Sequence, residues 1–583
     1  MSLSGAFQIG RSGLAAAQLG IQTAGNNVAN AATPGYSRQV ATQVPSRDTQ
    51  QGSLFVGRGV EVASIRRQVD GALQARLLTG TSAESRANTE ATVLAQVEAT
   101  LNGLGDENLS TNLGEFFNAW SNLADNPTNT GTRGLVVQQG RTLADFIRST
   151  RASLIDQRAQ VDRDLRGNVQ RADDLLAQIA GLNQTIVAAE NGQGAASGLR
   201  DQRDALTTEL SKLIDITTVE QADGNLDVLV GSTPVVLAGR SRGVQVLQEA
   251  VDGVIQVRVV AKDKQEELTI ASGAVGALLA QRTAAIDGTL DQLDTLATNL
   301  IFEVNRIHSG GYGGVQLSTV TSGLSVPPAD TALSLNDPTN ATFAALPFAA
   351  RNGSFLLTIT NRTTGAARTE RITIDLDGIT NAGVAGFADD TSLASLQASV
   401  AAALGANGTA TLGTDGRLTI AASTGNAVSF SEDSSGVLAT IGINTYFKGT
   451  TASDIAVRDE LVANSGLLAF GRVVNGQPTE NGVALAITQL QTQAIDGLSG
   501  GTLASAWNDA VQNVGVATGA ARTAAGAAGV VRENLDAQRQ VISGVSIDEE
   551  AINLLNYQSQ YQASARFISV IDELTQTLLS IVR

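Results

Sequence analysis

The sequence predicts a multidomain α+β protein: a terminal α-helical coiled coil from both chain ends, a helical bundle layer, and β-rich outer domains inserted in nested order. Three observations carry this. Apolar residues recur in steps of three and four at both extremities, β-branched runs broken by Asp-Gly and Gly-Asn fill 216–270, and a stretch rich in Ser, Thr, Gly and Asn from 309 to about 450 separates helical patterns. The implied segments are 1–40 with 545–583 (terminal coiled coil), 41–215 with 480–544 (mainly helical), 216–308 with 451–479 (β-rich with a long helix) and 309–450 (inserted β-rich outer domain). A length of 583 residues suits three or four domains, at roughly 150 residues each.

At the amino terminus, Leu3, Phe7, Gly10, Leu14, Ala17, Ile21, Ala24 and Val28 form a heptad seam. A helix over this span would run about 39 Å, at 1.5 Å per residue. The seam ends in "GNNVANAATPGYSRQ", residues 25–39, where Pro34 lacks an N–H and restrains Thr33, and Gly35 permits the positive φ of a tight turn. The stretch reads as a helix stop and turn built on Asn26, Asn27, Asn30, Pro34, Gly35 and Tyr36.

"LFVGRGVEVASIRRQVD" alternates as β structure, and helical patterning resumes at Asp70 and dominates to about residue 215. Antiparallel strands are expected over 216–270 and a long helix over about 273–308. Within the insert, "SFLLTITN" and "ERITIDLDG" read as a hairpin pair, "SLASLQASVAAALG" as a short helix, and "GRLTIAAS" as a strand after a Thr414-Asp415-Gly416 turn. Ala- and Gln-rich helix returns from about 502. It closes on a second seam of Leu554, Tyr557, Tyr561, Ser564, Ile568, Ile571, Thr575, Leu578 and Val582, headed by Asp548-Glu549-Glu550, where carboxylates favour a helix amino terminus.

One helix cannot bury its own apolar strip, so the two ends must pack on each other, on the body, or on other molecules. Pairing the ends with each other is the simplest solution; heptads serve an intramolecular bundle and an oligomer equally, and both readings stand at this point. The assembly-interface candidates are Leu3, Phe7, Leu14, Ile21, Val28, Leu554, Tyr557, Tyr561, Ile568, Ile571, Leu578 and Val582.

Composition narrows the function. Aromatic residues are 4% of a chain that is 43% hydrophobic, a vocabulary for packing rather than for a ligand pocket. A formal charge of −17 opposes a phosphate backbone, and the densest positive stretch, Arg58 to Arg76, reads as a solvated face, so no nucleic-acid partner is expected. With no cysteine there is neither a disulfide framework nor a thiolate site. No Sec-type signal is visible, because the first positive charge, Arg11, falls inside the apolar stretch, and nothing approaches the about 20 apolar residues that cross a bilayer. Composition alone therefore reads as soluble and cytoplasmic, with no membrane insertion.

Catalytic chemistry finds little support. His308 is the single imidazole, which excludes a paired-His zinc site, and it reads as a surface residue at a helix end. "GLSGG", 497–501, matches the nucleophile-elbow pattern at Ser499, but a helix-like segment precedes it where a strand is required, so a loop is expected. "DLDG", 375–378, resembles the start of a calcium loop but lacks the later ligands and the distal Glu of an EF-hand, and reads as a strand ending in a turn. "GGYGG", 310–314, lacks the GK[ST] of a phosphate cradle. No enzyme activity, cofactor or metal is expected.

"GNNVANAATPGYSRQ" resembles the amino-terminal signature of the axial proteins of the bacterial flagellum, the rod, hook and hook-associated proteins. The closing "SGVSIDEEAINLLNYQSQYQASARFISVIDELTQTLLSIV" is similar to the carboxyl terminus of the same family, and the two ends together resemble its hook–filament junction branch. The resemblance implies a structural protein that forms a homo-oligomeric ring at the distal end of the hook, with hook protein and a second junction protein as neighbours. It also implies unfolded export through the type III apparatus without a cleaved signal, a dedicated chaperone on the carboxyl-terminal helix, and an extracellular, flagellar location in place of the cytoplasm. A hook protein, or a secreted adhesin using 309–450, are the alternatives.

Overall fold

The computed structural model describes residues 3–51, 54–101, 105, 107–191, 194–251, 254–474 and 477–581. The chain forms two compact units, residues 1–94, 160–282 and 518–583 in one, and 95–159 and 283–517 in the other.

In the first unit the helix Leu3–Ala29 packs along the helix Ile547–Ile581. The chain leaves the first helix through a turn in which Asn30 donates from Nδ2 to the carbonyl of Asn26 at 3.0 Å and Gly35 takes φ +81°. The helix thus ends at Ala29, before Pro34, where the Asn30 side chain bonds the Asn26 carbonyl of its last turn. Strand Gln39–Pro45 then pairs antiparallel with Val60–Arg67, with a register shift between Thr42 and Gln43. Asp70 caps the next helix, Gly71–Leu101, its Oδ1 accepting from the amides of Ala72 and Leu73 at 2.9 and 3.1 Å. Over 216–270 the expected antiparallel strands are present. Thr217–Glu220, Leu226–Val230, Thr233–Leu237 and Arg240–Ser241 make one four-stranded sheet, and Val244–Val251 pairs with Val254–Ala261.

The second unit contains the insert, in which Gly353–Asn361 pairs with Ala367–Ile374 on one side and with Asn426–Ser431 on the other. A second sheet orders Thr319–Thr321, Leu418–Ala422 and Gly408–Leu412. Between them the helix Leu393–Leu404 is held by a capping box in which Ser392 and Ser395 satisfy each other's amides. Phe355, Leu357, Ile374, Leu396, Val400, Leu418, Ile420 and Phe430 fill the core of this region. The alternation of "SFLLTITN" has its inward residues at Phe355, Leu357 and Ile359, all buried.

Three expectations need correction. The long helix over about 273–308 is interrupted: Gly273–Gln281 passes through a π turn, Arg282–Asp287, before Gly288–Ser309. The helical stretch between 496 and 581 contains an 18-residue window long and apolar enough, by length and composition only, to cross a membrane; 17% of it is buried within the chain. That apolar character comes from Ala and Val spaced by Gly, which a search for Leu-, Ile- and Phe-rich runs passes over.

His308 is the third correction. It stands at a helix end, as expected, but is fully buried. Nδ1 lies 2.7 Å from the Asn444 carbonyl, and the Ala469 amide donates to Nε2 at 3.0 Å. A backbone N–H pointing at Nε2 requires that atom to be unprotonated, so the proton resides on Nδ1 and the ring is neutral. Trp120 and Tyr446 flank it, with ring centroids 6.3 and 5.8 Å away. Tyr446 in turn donates to the Val136 carbonyl at 2.8 Å, and Asn305 Oδ1 accepts the amides of Tyr446 and Phe447 at 2.9 and 2.8 Å. The solitary imidazole is a cross-brace in an aromatic cluster. Sequence context showed only the polar helix end and not the strand that returns to cover it. Ser499, by contrast, lies in a loop after the short turn Asp496–Leu498, with φ 55°.

Burial pushes the His308 pKa down from 6.5 to about 4, helped by the charge of Arg458. The folded value lies below the unfolded one, so the neutral ring's contribution to stability is complete above about pH 6.5 and is lost as pH falls through about 4. Because this is the only imidazole, its Cε1 proton resonance should hold the neutral position from pH 7.5 to near pH 4; a midpoint at 6 to 7 in the folded protein would contradict the cross-brace.

Candidate assembly site at the paired chain ends

The two terminal helices run antiparallel, and what brings them together is a lack of side chains. A Cβ built on Gly10 would lie 2.7 Å from Ile568 Cγ1, one on Gly13 2.8 Å from Ser564 Oγ, and one on Gly20 2.6 Å from the ring of Tyr557. Ala16, Ala17 and Ala24 continue this face and are buried. Small residues let the backbones approach closely, and Tyr557, Ser564 and Ile568 of the last helix fit over the glycines of the first, while Ile571, one turn further on, is buried.

The face in contact therefore differs from the seam read in the sequence. Gly10, Ala17 and Ala24 belong to both, but Leu3, Leu14 and Ile21 are only half-buried at its flank, and Phe7 and Val28 are exposed. On the partner helix, Leu554, Tyr557 and Ile568 are half-buried, whereas Tyr561 is 39% and Leu578 51% exposed. Val582 lies outside the described residues. A second apolar row, Phe567, Val570, Leu574, Leu578 and Ile581, runs along the exposed side of the carboxyl-terminal helix, together with Ile552 and Leu555 nearer its start. Phe567, Val570 and Leu574 lie outside the predicted seam, although their own three-and-four spacing is as regular.

At the other end of the pair, the turn motif closes a polar clamp. Asn27 is 1% exposed; its Nδ2 donates to Glu550 Oε2 at 3.1 Å and to the Gln39 carbonyl at 2.8 Å. Its Oδ1 accepts from the Tyr36 hydroxyl at 2.8 Å and from the Gln39 amide at 3.0 Å. Asn26 Nδ2 donates to the same Tyr36 hydroxyl at 3.2 Å, while Asn30 holds Asn26 Oδ1 at 3.1 Å and accepts from Thr33. Pro34 and Gly35, both exposed, turn the chain so that Tyr36 folds back on the helix end it left. Arg38 completes the clamp: its Nε and Nη2 meet Glu550 Oε1 at 2.8 and 2.7 Å, Nη1 reaches Glu549 at 3.0 Å, and its amide donates to the Ser543 carbonyl at 2.9 Å. The same turn is anchored to the helix Ser197–Leu213, where Asp201 accepts from the Ser37 amide and pairs with Arg67 at 2.8 Å, and Arg67 also meets Asp204 at 2.7 Å.

Glu550 is 2% exposed, so its charge depends on this set of donors. Asp548-Glu549-Glu550, expected to favour the helix amino terminus, thus also takes up Arg38, and the signal for this in the sequence is an isolated Arg in "YSRQ" alongside an isolated acidic triplet. Tyr36 shows the same environment. Burial, then the nearby charges of Asp201 and Glu550, raise its pKa from 10.0 to about 12.

Arg38→Ala should destabilise the unit by about 3 kcal/mol or more, since it strands a buried carboxylate. Arg38→Ala with Glu550→Ala should cost clearly less than the two single losses added; chemical denaturation checks both. Gly20→Val should strip amide-exchange protection from both terminal helices together. The Tyr36 pKa is raised in the folded state, so its contribution is full below about pH 10 and lost as pH rises toward about 12. Tyr36→Phe should reduce, not remove, the alkaline loss of stability in a pH-dependent melt, because Tyr446 and Tyr312 are also raised by burial.

Comparison with known proteins agrees with both ends and the middle of the chain. Residues 7–36 match the family "Flagella basal body rod protein", 538–581 match "Flagellar basal body rod FlgEFG protein C-terminal", and 94–317 match "Flagellar hook-associated protein FlgK helical domain". The flagellar hook-associated protein 1 of Escherichia coli is 23% identical over 603 residues, with 98% of each chain covered. That of Salmonella typhimurium is 25% identical over 598 residues, again with 98% of each covered, and that of Bacillus subtilis 23% over 586, covering 98% of this chain and 97% of its own. Among solved structures, the flagellar hook junction protein FlgK from Burkholderia pseudomallei shares the fold with a TM-score of 0.52 at 16% identity, covering 80% of this chain and all of that one. With its paired ends, its helical middle and its end-to-end relatives all in agreement, the chain is similar to the flagellar axial proteins and, along its whole length, to flagellar hook-associated protein 1.

Proposed function

We propose that this chain is a structural subunit of the flagellum that assembles at the distal end of the hook and joins hook to filament. The observation that carries the reading is the carboxyl-terminal helix, which spends one face on the glycine track of the amino-terminal helix and leaves a second apolar row open. A helix apolar on two sides needs a second neighbour. Copies of the same chain in a ring supply it, as do hook protein beneath and a second junction protein above. Burying one exposed Leu or Ile fully contributes about 1.5–3 kcal/mol, so a few per subunit outweigh the cost of ordering the helix ends.

On this reading the interface comprises Phe7, Val28, Tyr561 and Leu578 from the seam, with the half-buried Leu3, Leu14, Ile21, Leu554, Tyr557 and Ile568 beside them. The layers follow in nested order from the paired ends, 1–40 with 545–583, through the helical and β-rich segments to the insert at 309–450. Export proceeds unfolded and without a cleaved signal to an extracellular site. A cytosolic chaperone covers the carboxyl-terminal row until then. A chain without cysteine cannot become cross-linked before that passage.

Two substitutions separate the faces. Leu578→Asp, on the open row, should leave the chain folded and exported but unable to incorporate, so that cells lose swimming and shed flagellin into the medium. Ile568→Asp, set against Gly10, should already loosen the isolated chain's terminal pair. Normal filaments with Leu578→Asp would refute the open row as the interface.

A further inference from the structure

We propose that the insert carries a calcium site formed by Asp375, Asp377 and Asp390. One carboxylate oxygen from each lies within 4.8 Å of the others. Oxygens opposed across a bound Ca2+ stand about 4.6–5.2 Å apart, given Ca–O distances of 2.3–2.6 Å, so the three fit around one such ion. The fold brings them together from two places. Asp375 and Asp377 follow the strand Ala367–Ile374, and Asp390 precedes the capping serine of the helix Leu393–Leu404. Antiparallel closure of the loop between them, through the Ile379–Ala385 bridge and the Gly386 amide on the Gly378 carbonyl at 2.9 Å, holds the two arms in register.

Asp390 supplies the observation that points to a ligand. It is 5% exposed, and its Oδ2 accepts from Asn336 Nδ2 at 2.6 Å and from the Gly378 amide at 3.1 Å, whereas its buried Oδ1 has no partner among the described residues. Asn336 Oδ1 and Asp389 Oδ1 are buried without a partner as well. Asn336 already donates to Asp390, so its amide oxygen stands beside the cluster, while Asp389 uses its other oxygen for the Asn381 amide. Buried acceptors left unmet are uncommon, and here they gather around three carboxylates. The ion pairs made by Lys and Arg of the insert among the described residues, Arg368–Glu370, Arg417–Asp415 and Lys448–Asp459, engage none of the three carboxylates. An all-oxygen set on a loop selects a hard divalent cation, and a flexible one suits Ca2+ better than Mg2+, which demands a rigid octahedron. The "DLDG" motif therefore lacks the later ligands of an EF-hand but obtains its third carboxylate from 12 residues beyond the motif's Gly378. The bound ion would fasten this loop to the sheet edge on one side and to the helix start on the other.

The test is calorimetric titration of the metal-stripped full chain with CaCl2, with MgCl2 in parallel. The expected result is one saturable Ca2+ per chain, in the submillimolar to millimolar range of extracellular modules, with Mg2+ binding at least tenfold more weakly. Asp377→Asn, at an exposed position whose side chain accepts one hydrogen bond among the described residues, from the Ile379 amide, should weaken binding at least tenfold with an unchanged circular dichroism spectrum. Asp375→Asn with Asp390→Asn should abolish it. The proposal is overturned if no saturable binding occurs up to 10-fold above the millimolar range, or if the folded Asp377→Asn chain binds as the parent does.

Discussion

The structure depends on one close approach: two helices from opposite ends of a 583-residue chain lie together because one of them presents glycine and alanine to the other. Bulk on both sides would hold them apart, and the polar clamp at the Asn27 end would then lose its geometry, since Glu550 meets Asn27 and Arg38 only when the axes are this near. The glycine track and the charged clamp act as one device. The first sets the distance and the second fixes register and polarity, the use of a buried polar group best attested in paired helices.

That arrangement explains why the family signature at the amino terminus reads as it does. Asn27 uses its amide oxygen and nitrogen to join three segments: the end of its own helix, the strand that follows, and the start of the last helix. Tyr36 needs the Pro34–Gly35 turn to reach back to Asn27, and Arg38 needs Tyr36 in place to face Glu550. Ser37, Arg38 and Gln39 are then fixed by partners from elsewhere in the chain, Asp201, Ser543 with Glu550, and Asn27. Polar identity is demanded at the clamp, small size along the track, and apolar bulk only on the side left open.

The second unit uses a different solution to the same problem of joining distant segments. There, buried aromatic rings and a neutral imidazole cross-link a helix end to a returning strand, with Asn305 and Asn444 meeting the backbone groups that packing would otherwise leave unpaired. Such a knot tolerates no charge on its ring. The insert beyond it is a conventional packed core whose polar oddity, the acidic loop, lies at its edge.

Periodicity and composition determined the helical ends, the strands over 216–270, the hairpin and short helix of the insert, and the absence of thiol or paired-imidazole chemistry, because each of these is a local property of neighbouring residues. The turn motif was legible as a turn for the same reason: proline and glycine constrain their own dihedrals. Tertiary structure alone decided which face of the first helix is covered, because a heptad pattern marks where bulk lies and the contact here runs along the residues that lack it. It also decided the burial of His308 and the meeting of Arg38 with Glu550. These depend on segments more than a hundred residues away in the chain, and no short-range pattern records what a distant strand or helix will bring alongside.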